Sequence, residues 1–398
     1  MKKIDKIHKS NNKSSEEFYQ KEMQQKEINQ KDMNKENAST YNDLNDNALN
    51  DNALSNSDLN NNSEFSFINN LKENVQGQLI GDDAALYENI LICKDVISEN
   101  VHFLPSTPIE LVISKLFTSN ISDIAAMGGI SSSCLIGLSL EKNRFEGFKI
   151  INSIKSEKER YNVEIIGGDT TSAKNSNFLS LTAIGKRNEF VIYRNGAKAG
   201  DSIYISRYTG LCRKSLELEL NNINTVEIIS DDLLLNYGLN KEYKTYKSNE
   251  KIKLDKYFHY KVKAETEIGE ILGRRSEVTS CTDISDGLLL DLNSILNSSN
   301  VSAILNLSEI EIPNIIGRDN TEKFEYFFNS GEEYALIFTV DKENEESIIE
   351  EIRSKTGRNI IKIGKIIENL NNNSKIFNEF NEEINNDSFS LKCYEHFK

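Results

Sequence analysis

Tryptophan is absent from this 398-residue chain, and only three prolines and five cysteines occur. The cysteines (Cys93, Cys134, Cys212, Cys281, Cys393) are scattered, with no Cys-x-x-Cys pair. That spacing argues against a disulfide framework and a thiolate zinc site, and it fits a reducing cytoplasm. No apolar run approaches the roughly 20 residues of a membrane helix. Met1–Ser10 is basic but has no apolar stretch behind it, so a secretory signal is not expected. Positive charge is also short: 62 acidic residues face 47 basic ones, a net charge of −15. Nonspecific nucleic-acid binding needs a basic face and is disfavoured. Phosphate-binding signatures are missing too, with no Gly-x4-Gly-Lys-[Ser/Thr], no Gly-x-Gly-x-x-Gly and no protein-kinase catalytic loop.

What the chain has is a series of carboxylates beside small residues. They are Gly81-Asp82-Asp83-Ala84-Ala85, Asp95 with His102-Phe103, Ser122-Asp123-Ile124-Ala125-Ala126-Met127-Gly128, Gly167-Gly168-Asp169-Thr170-Thr171 and Asp283-Ile284-Ser285-Asp286-Gly287. Most follow an apolar run. A carboxylate at the end of a buried strand is costly unless a cation meets it. Several that converge repel by a few kcal/mol per close pair, roughly 4 at about 4 Å and an effective dielectric of about 20. Hard divalent cations relieve this, and Mg²⁺ with a polyphosphate is the usual pairing.

Residues 1–62 are low in complexity and poor in large apolar side chains, so they are expected to form a disordered tail or frayed helix. From Ser63 the pattern becomes globular, opening on a capped amphipathic helix. Further helices are expected over Pro108–Met127, Phe145–Arg160 and Gly287–Leu296. Strands are expected at Asn89–Cys93, Ser133–Leu140, Val163–Ile166, Phe178–Gly185, Ser202–Ser206, Val278–Asp283, Val301–Leu307 and Tyr334–Val340. Residues 221–258 read as a polar surface insertion. The class is therefore mixed α+β, with domains expected over 63–190 and 191–398.

In order, with Arg194-Asn195-Gly196-Ala197-Lys198-Ala199-Gly200-Asp201, Ser330-Gly331-Glu332-Glu333-Tyr334 and the closing Tyr394-Glu395-His396-Phe397, these motifs resemble the thiamine-monophosphate kinases from Glu64 to Phe397. That family shares a two-domain, usually dimeric fold with aminoimidazole ribonucleotide synthetase. The resemblance implies an N-terminal sheet domain that forms a barrel in a homodimer, a C-terminal α/β domain, and ATP-dependent phosphorylation of thiamine monophosphate in the cytoplasm without a membrane or nucleic-acid partner. It also implies roles. Asp83, Asp95, Asp123, Asp169, Asp283 and Asp286 would bind several Mg²⁺ ions; Gly168, Asp169, Arg194 and Ser285 would contact ATP; His102, Glu332 and Tyr394 would line the acceptor pocket. No covalent nucleophile is evident. Ser285 also stands where it would cap the helix opening at Gly287.

Two departures stand out. Cys93-Lys94 replaces the family's hydroxyl pair before Asp95, so Lys94 is read as a stand-in for a metal's charge. Glu333 replaces an aspartate. Alternatives are a sister enzyme with another acceptor, a nucleotide-binding protein that has lost catalysis, and a scaffold acting through its tail.

Overall fold

The computed structural model describes residues 68, 71, 72, 74, 75, 77, 79–144, 146–229, 251–310, 312, 319–369, 373–385, 388 and 389. The expected tail, the helix opening at Ser63 and Tyr394 lie outside the described residues, apart from a helical Ile68.

Two sheets dominate. The first contains β1 (Ala85–Tyr87), β2 (Ile90–Ser98), β3 (Ile130–Glu141), β4 (Glu164–Ala173) and β5 (Phe178–Lys186), in the order β1-β2-β5-β3-β4. β3 and β4 run parallel, joined by helix α2 (Gly147–Tyr161); the other neighbours are antiparallel. One face of this sheet lies under helix α1 (Ile109–Ala126). Period-two alternation along β2 buries Leu91, Cys93 and Ile97 on that face and leaves Lys94 and Val96 exposed on the other.

α1 is buried nearly all round, and its apolar side chains fill the centre of the domain while polar ones such as Lys115, Thr118 and Asn120 are buried with partners. Val112, Ile113, Leu116, Phe117, Ile121 and Ile124 are all buried, each contributing ~1.5–3 kcal/mol of transfer free energy. The helix ends at Ala126 with Met127 as its C-cap, and the chain turns away at Gly128, where φ is +70°. A Cβ there would lie 2.6 Å from the Gly273 Cα, so glycine suits both the backbone turn and the close approach.

The second sheet contains β6 (Ser202–Ile205), β9 (Val278–Asp283), β10 (Val301–Leu305), β11 (Leu336–Val340), β12 (Ile361–Glu368), β13 (Ile376–Asn378) and β14 (Glu383–Ile384), in the order β14-β13-β10-β12-β6-β11-β9. Helices α3 (Leu211–Leu220), α4 (Thr266–Leu272), α5 (Leu288–Ser299), α6 (Asn320–Asn329) and α7 (Glu345–Thr356) accompany it. The mixed α+β expectation, with two sheet-containing domains, holds.

Three expectations need correction. β4 does not stop at Ile166; it continues through Gly167-Gly168-Asp169 to Ala173, because β3 supplies parallel partners along that whole length. β2 likewise runs past Asp95, which is mid-strand. The insertion is not wholly superficial. It contains the paired strands β7 (Thr225–Ile229) and β8 (Lys251–Asp255), and Leu254 and Phe258 are buried in the second domain's core.

Candidate active site

Four carboxylates from four elements approach one another where α1 meets the end of β9. Asp83 lies just before β1, Asp95 on β2, Asp123 in the last turn of α1 and Asp283 at the end of β9. Ligand atoms of Asp83, Asp123 and Asp283 all lie within 4.8 Å of one another. At that separation like charges repel by about 3 kcal/mol per pair at an effective dielectric of about 20. The Asp123 carboxyl is pushed well up, first by burial and then by Asp95, Asp283 and Asp83. Asp283 is pushed up to about 8, by burial and then by Asp83. Asp95 is also raised, by burial first, although a hydrogen bond from Ser119 opposes the shift.

One cation meets the group directly. The Arg194 Nη2 lies 2.5 Å from Asp83 Oδ1, and its Nε donates to Thr282 Oγ1 at 3.2 Å. Thr282 Oγ1 donates in turn to Asp83 Oδ1 at 2.9 Å. The backbone N–H of Arg194 donates to Asp82 Oδ1 at 2.7 Å. Asp83 Oδ2 is buried without a hydrogen-bond partner. An orphaned buried oxygen beside two carboxyls held above their ordinary range is a donor set that fits a hard divalent cation.

Asp169 is not brought to this group. In the sheet register it shares a row with Gly137, Ser180 and Val96, whereas Asp95 shares the next row with Leu181, Ile136 and Gly168. Asp169 is therefore exposed on the face opposite Asp95. Gly168 occupies the inward row as a bare backbone position: a Cβ there would lie 1.9 Å from the Ile136 carbonyl oxygen, and φ is +153°. Lys94 lies on the outer face with Asp169, exposed, donating to Thr182 Oγ1 at 3.4 Å. Within this chain it does not stand in for a metal among the carboxylates, and Cys93, on the inner face, instead donates to the Asn120 carbonyl at 3.1 Å.

The loop after β9 is organised by a residue the sequence did not single out. Asp291 Oδ2 accepts from the backbone N–H groups of Ser285, Asp286 and Gly287 at 3.1, 3.2 and 3.1 Å. Ser285 is not the cap of α5; Gly287 holds that position, with no side-chain cap. Asp286 sits in this loop, close enough to raise the Asp291 carboxyl, after burial.

Glu332, expected at the acceptor, and Glu333 part company. Glu333 is buried, and its Oε1 accepts from the N–H groups of Gly210 and Cys212 at the start of α3, at 2.6 and 3.1 Å. Its carboxylate thus anchors a helix. Glu332 turns the other way and pairs with Lys115 of α1. Lys115 Nζ also donates to the His102 carbonyl at 2.6 Å. The His102 ring accepts at Nδ1 from the Ser98 N–H at 3.1 Å.

Comparison with known proteins fits this arrangement. Residues 81–186 match the AIR synthase related protein N-terminal domain, and residues 238–374 the corresponding C-terminal domain, which defines the class. The thiamine-monophosphate kinase of Buchnera aphidicola (strain Sg) is 33% identical over 74% of this chain and 86% of its own length. That of Haemophilus influenzae is 30% identical, over 80% of this chain and 91% of its own length. A solved structure of AaThiL complexed with AMPPCP and TMP superposes with a TM-score of 0.64 at 25% identity, covering 84% of this chain and 97% of that one. The chain belongs to the thiamine-monophosphate kinase family and is a kinase. No helix among the described residues is long and apolar enough to cross a membrane.

Proposed function

We infer that this enzyme transfers the γ-phosphoryl group of ATP to thiamine monophosphate, giving thiamine diphosphate and ADP. The observation that carries the reading is the convergence of Asp83, Asp123 and Asp283 in a chain of this family. An oxygen of the acceptor phosphate forms the new bond to the γ-phosphorus. The bridging bond to the β-phosphate breaks, and its electron pair leaves on ADP. The attacking oxygen is already ionised, so no general base is needed, and no covalent phosphoenzyme is invoked. Magnesium held by Asp83, Asp123 and Asp283, with Asp95 and Asp286 nearby, would supply the charge neutralisation that lets two anionic phosphates approach.

The chain's own residues have distinct tasks. Arg194 fixes Asp83 and offers a planar fork to phosphate oxygens. Gly168 leaves the inner face of β4 bare where a nucleotide would lie against backbone. The Ser285–Gly287 loop is held rigid by Asp291. Glu332 presents a carboxylate suited to the cationic thiazolium ring, with His102 as its neighbour on the acceptor side and Tyr394 assigned there by family resemblance.

A homodimer formed over the outer face of the first sheet is part of this reading, supported by the exposed apolar side chains there, and it would bring Asp169 to an interface. The test is direct: purified full-length chain with ATP, Mg²⁺ and thiamine monophosphate should yield thiamine diphosphate by chromatography. Folded protein that produces none rejects the assignment.

A further inference from the structure

We propose that Lys115 is the positioning residue of the acceptor side, holding Glu332 in the orientation in which its carboxylate meets the acceptor; this rests on the reading that thiamine monophosphate is phosphorylated here. Lys115 sits in the middle of α1 with only 2% of its side chain exposed. A buried ammonium is costly unless its three donors are engaged. It forms an ion pair with Glu332 Oε1, donates to the His102 carbonyl at 2.6 Å, and lies 5.3 Å from the centre of the Tyr260 ring. Two residues expected at the acceptor therefore meet through a third that the motifs did not indicate.

The backbone around Glu332 shows the same constraint from the other side. Glu332 and Tyr334 both have positive φ, +59° and +49°, unusual for residues with side chains. Such conformations persist where surroundings over-determine them. The Glu332 N–H donates to the Ser285 carbonyl at 2.7 Å, and the Tyr334 N–H to Ile284 at 2.9 Å. A Cβ on Gly331 would lie 2.7 Å from the same Ser285 oxygen. The segment is thus pinned against the loop that carries Asp283 and Asp286. The Glu332 side chain stays 29% exposed, so its carboxylate remains reachable.

Helix α1 supplies the ruler. Lys115, Ser119 and Asp123 stand at i, i+4 and i+8, on one helical face. Ser119 hydrogen-bonds Asp95 and Asp123 belongs to the carboxylate group. One rigid helix therefore sets the distance from the acceptor's carboxylate partner to the phosphate end, about 12 Å of axial rise.

Steady-state kinetics on the full chain test this. Wild type is assayed first; if it makes no thiamine diphosphate, the functional reading fails before Lys115 is at issue. Given turnover, Lys115→Met should raise KM for thiamine monophosphate about tenfold or more while KM for ATP stays within about twofold. Glu332→Gln should reproduce that split, and Lys115→Met/Glu332→Gln should cost no more than the worse single variant. The double variant removes both charges, so it decides the matter should Lys115→Met fail to fold. An acceptor KM within twofold of wild type, or a parallel rise in the ATP KM, overturns the proposal.

Discussion

Asp123 and Asp83 show how differently two carboxylates of one group are treated. Asp83 has a guanidinium and a threonine hydroxyl on one oxygen, whereas Asp123 is surrounded by other carboxylates. Asp123 is therefore a liability to the metal-free fold, and under the proposed function it would be an asset to the loaded one. Asp123→Asn should lower kcat by about 100-fold or more, the usual scale for removing one preorganised electrostatic group. The same change should raise the unfolding free energy of metal-free protein by about 1–2 kcal/mol near neutral pH, because it deletes a repelled charge. Chemical denaturation in chelator beside a kinase assay checks both; a variant that is less stable and fully active would contradict the assignment. Gly168→Ala makes the opposite point. Its Cβ would collide with the Ile136 carbonyl, so it should cost about 1–3 kcal/mol by urea denaturation even with no ligand present. Asp83, Asp123 and Asp283 were legible in sequence because each sits beside small residues at the edge of an apolar run. Lys115, Asp291 and the anchoring role of Glu333 were not, because each acts on residues far away in the chain or on backbone N–H groups. Nothing in the neighbours of Lys115 marks a lysine that will be buried against Glu332.

Helices and strands were easier to read than their ends. α1 was expected at Pro108–Met127 and spans Ile109–Ala126, and β9 has the expected bounds. β4 ran longer because its length is set by pairing with β3, and pairing is not a local property. The same reasoning applies to Glu265, which stands at the N-cap position of α4. Its carboxylate lies between Arg207 and Arg358, both buried, and so joins the segment after β6 to the approach to β12. Arg207 also donates to the Glu333 carbonyl. Burial alone would raise the Glu265 carboxyl, but Arg358 and Arg207 override it and the group is lowered from 4.5. A lowered folded value means stability that is present above about pH 4.5 and lost as pH falls through the folded value. Glu265→Gln should thus cost about 3–5 kcal/mol at pH 7, since two buried guanidiniums lose their partner. The gap between variant and wild type should narrow on acidification below pH 4.5. Urea unfolding at pH 7 and at successively lower pH measures it, and a gap that stays constant would place the cost elsewhere.

At the scale of the whole molecule, the first sheet has, among the described residues, a partner on only one face. α1 covers the face that carries Asp95, Leu181 and Ile136. The other carries Ile90, Val96, Ile130, Leu135 and Phe178, each about 40% exposed or slightly more. Several large apolar side chains exposed on one face favour an interaction site there. β4 closes the sheet as an exposed edge strand, where unpaired backbone groups invite another strand. A second copy of the chain, as proposed above, would satisfy both demands through one isologous contact. It would also give Asp169 and Lys94 a setting that a single chain denies them, because both lie on that face. Dimerisation and activity should consequently fail together. Leu135→Asp places a charge at the centre of the apolar face without touching the carboxylates of Asp83, Asp123 and Asp283. Sedimentation should show wild type at twice the monomer mass and the variant at the monomer mass, with helix content unchanged by circular dichroism. Turnover of the monomeric variant should drop by at least about tenfold if Asp169 serves the reaction from the interface. A monomeric variant with full turnover would confine the chemistry to one chain and remove Asp169 from it.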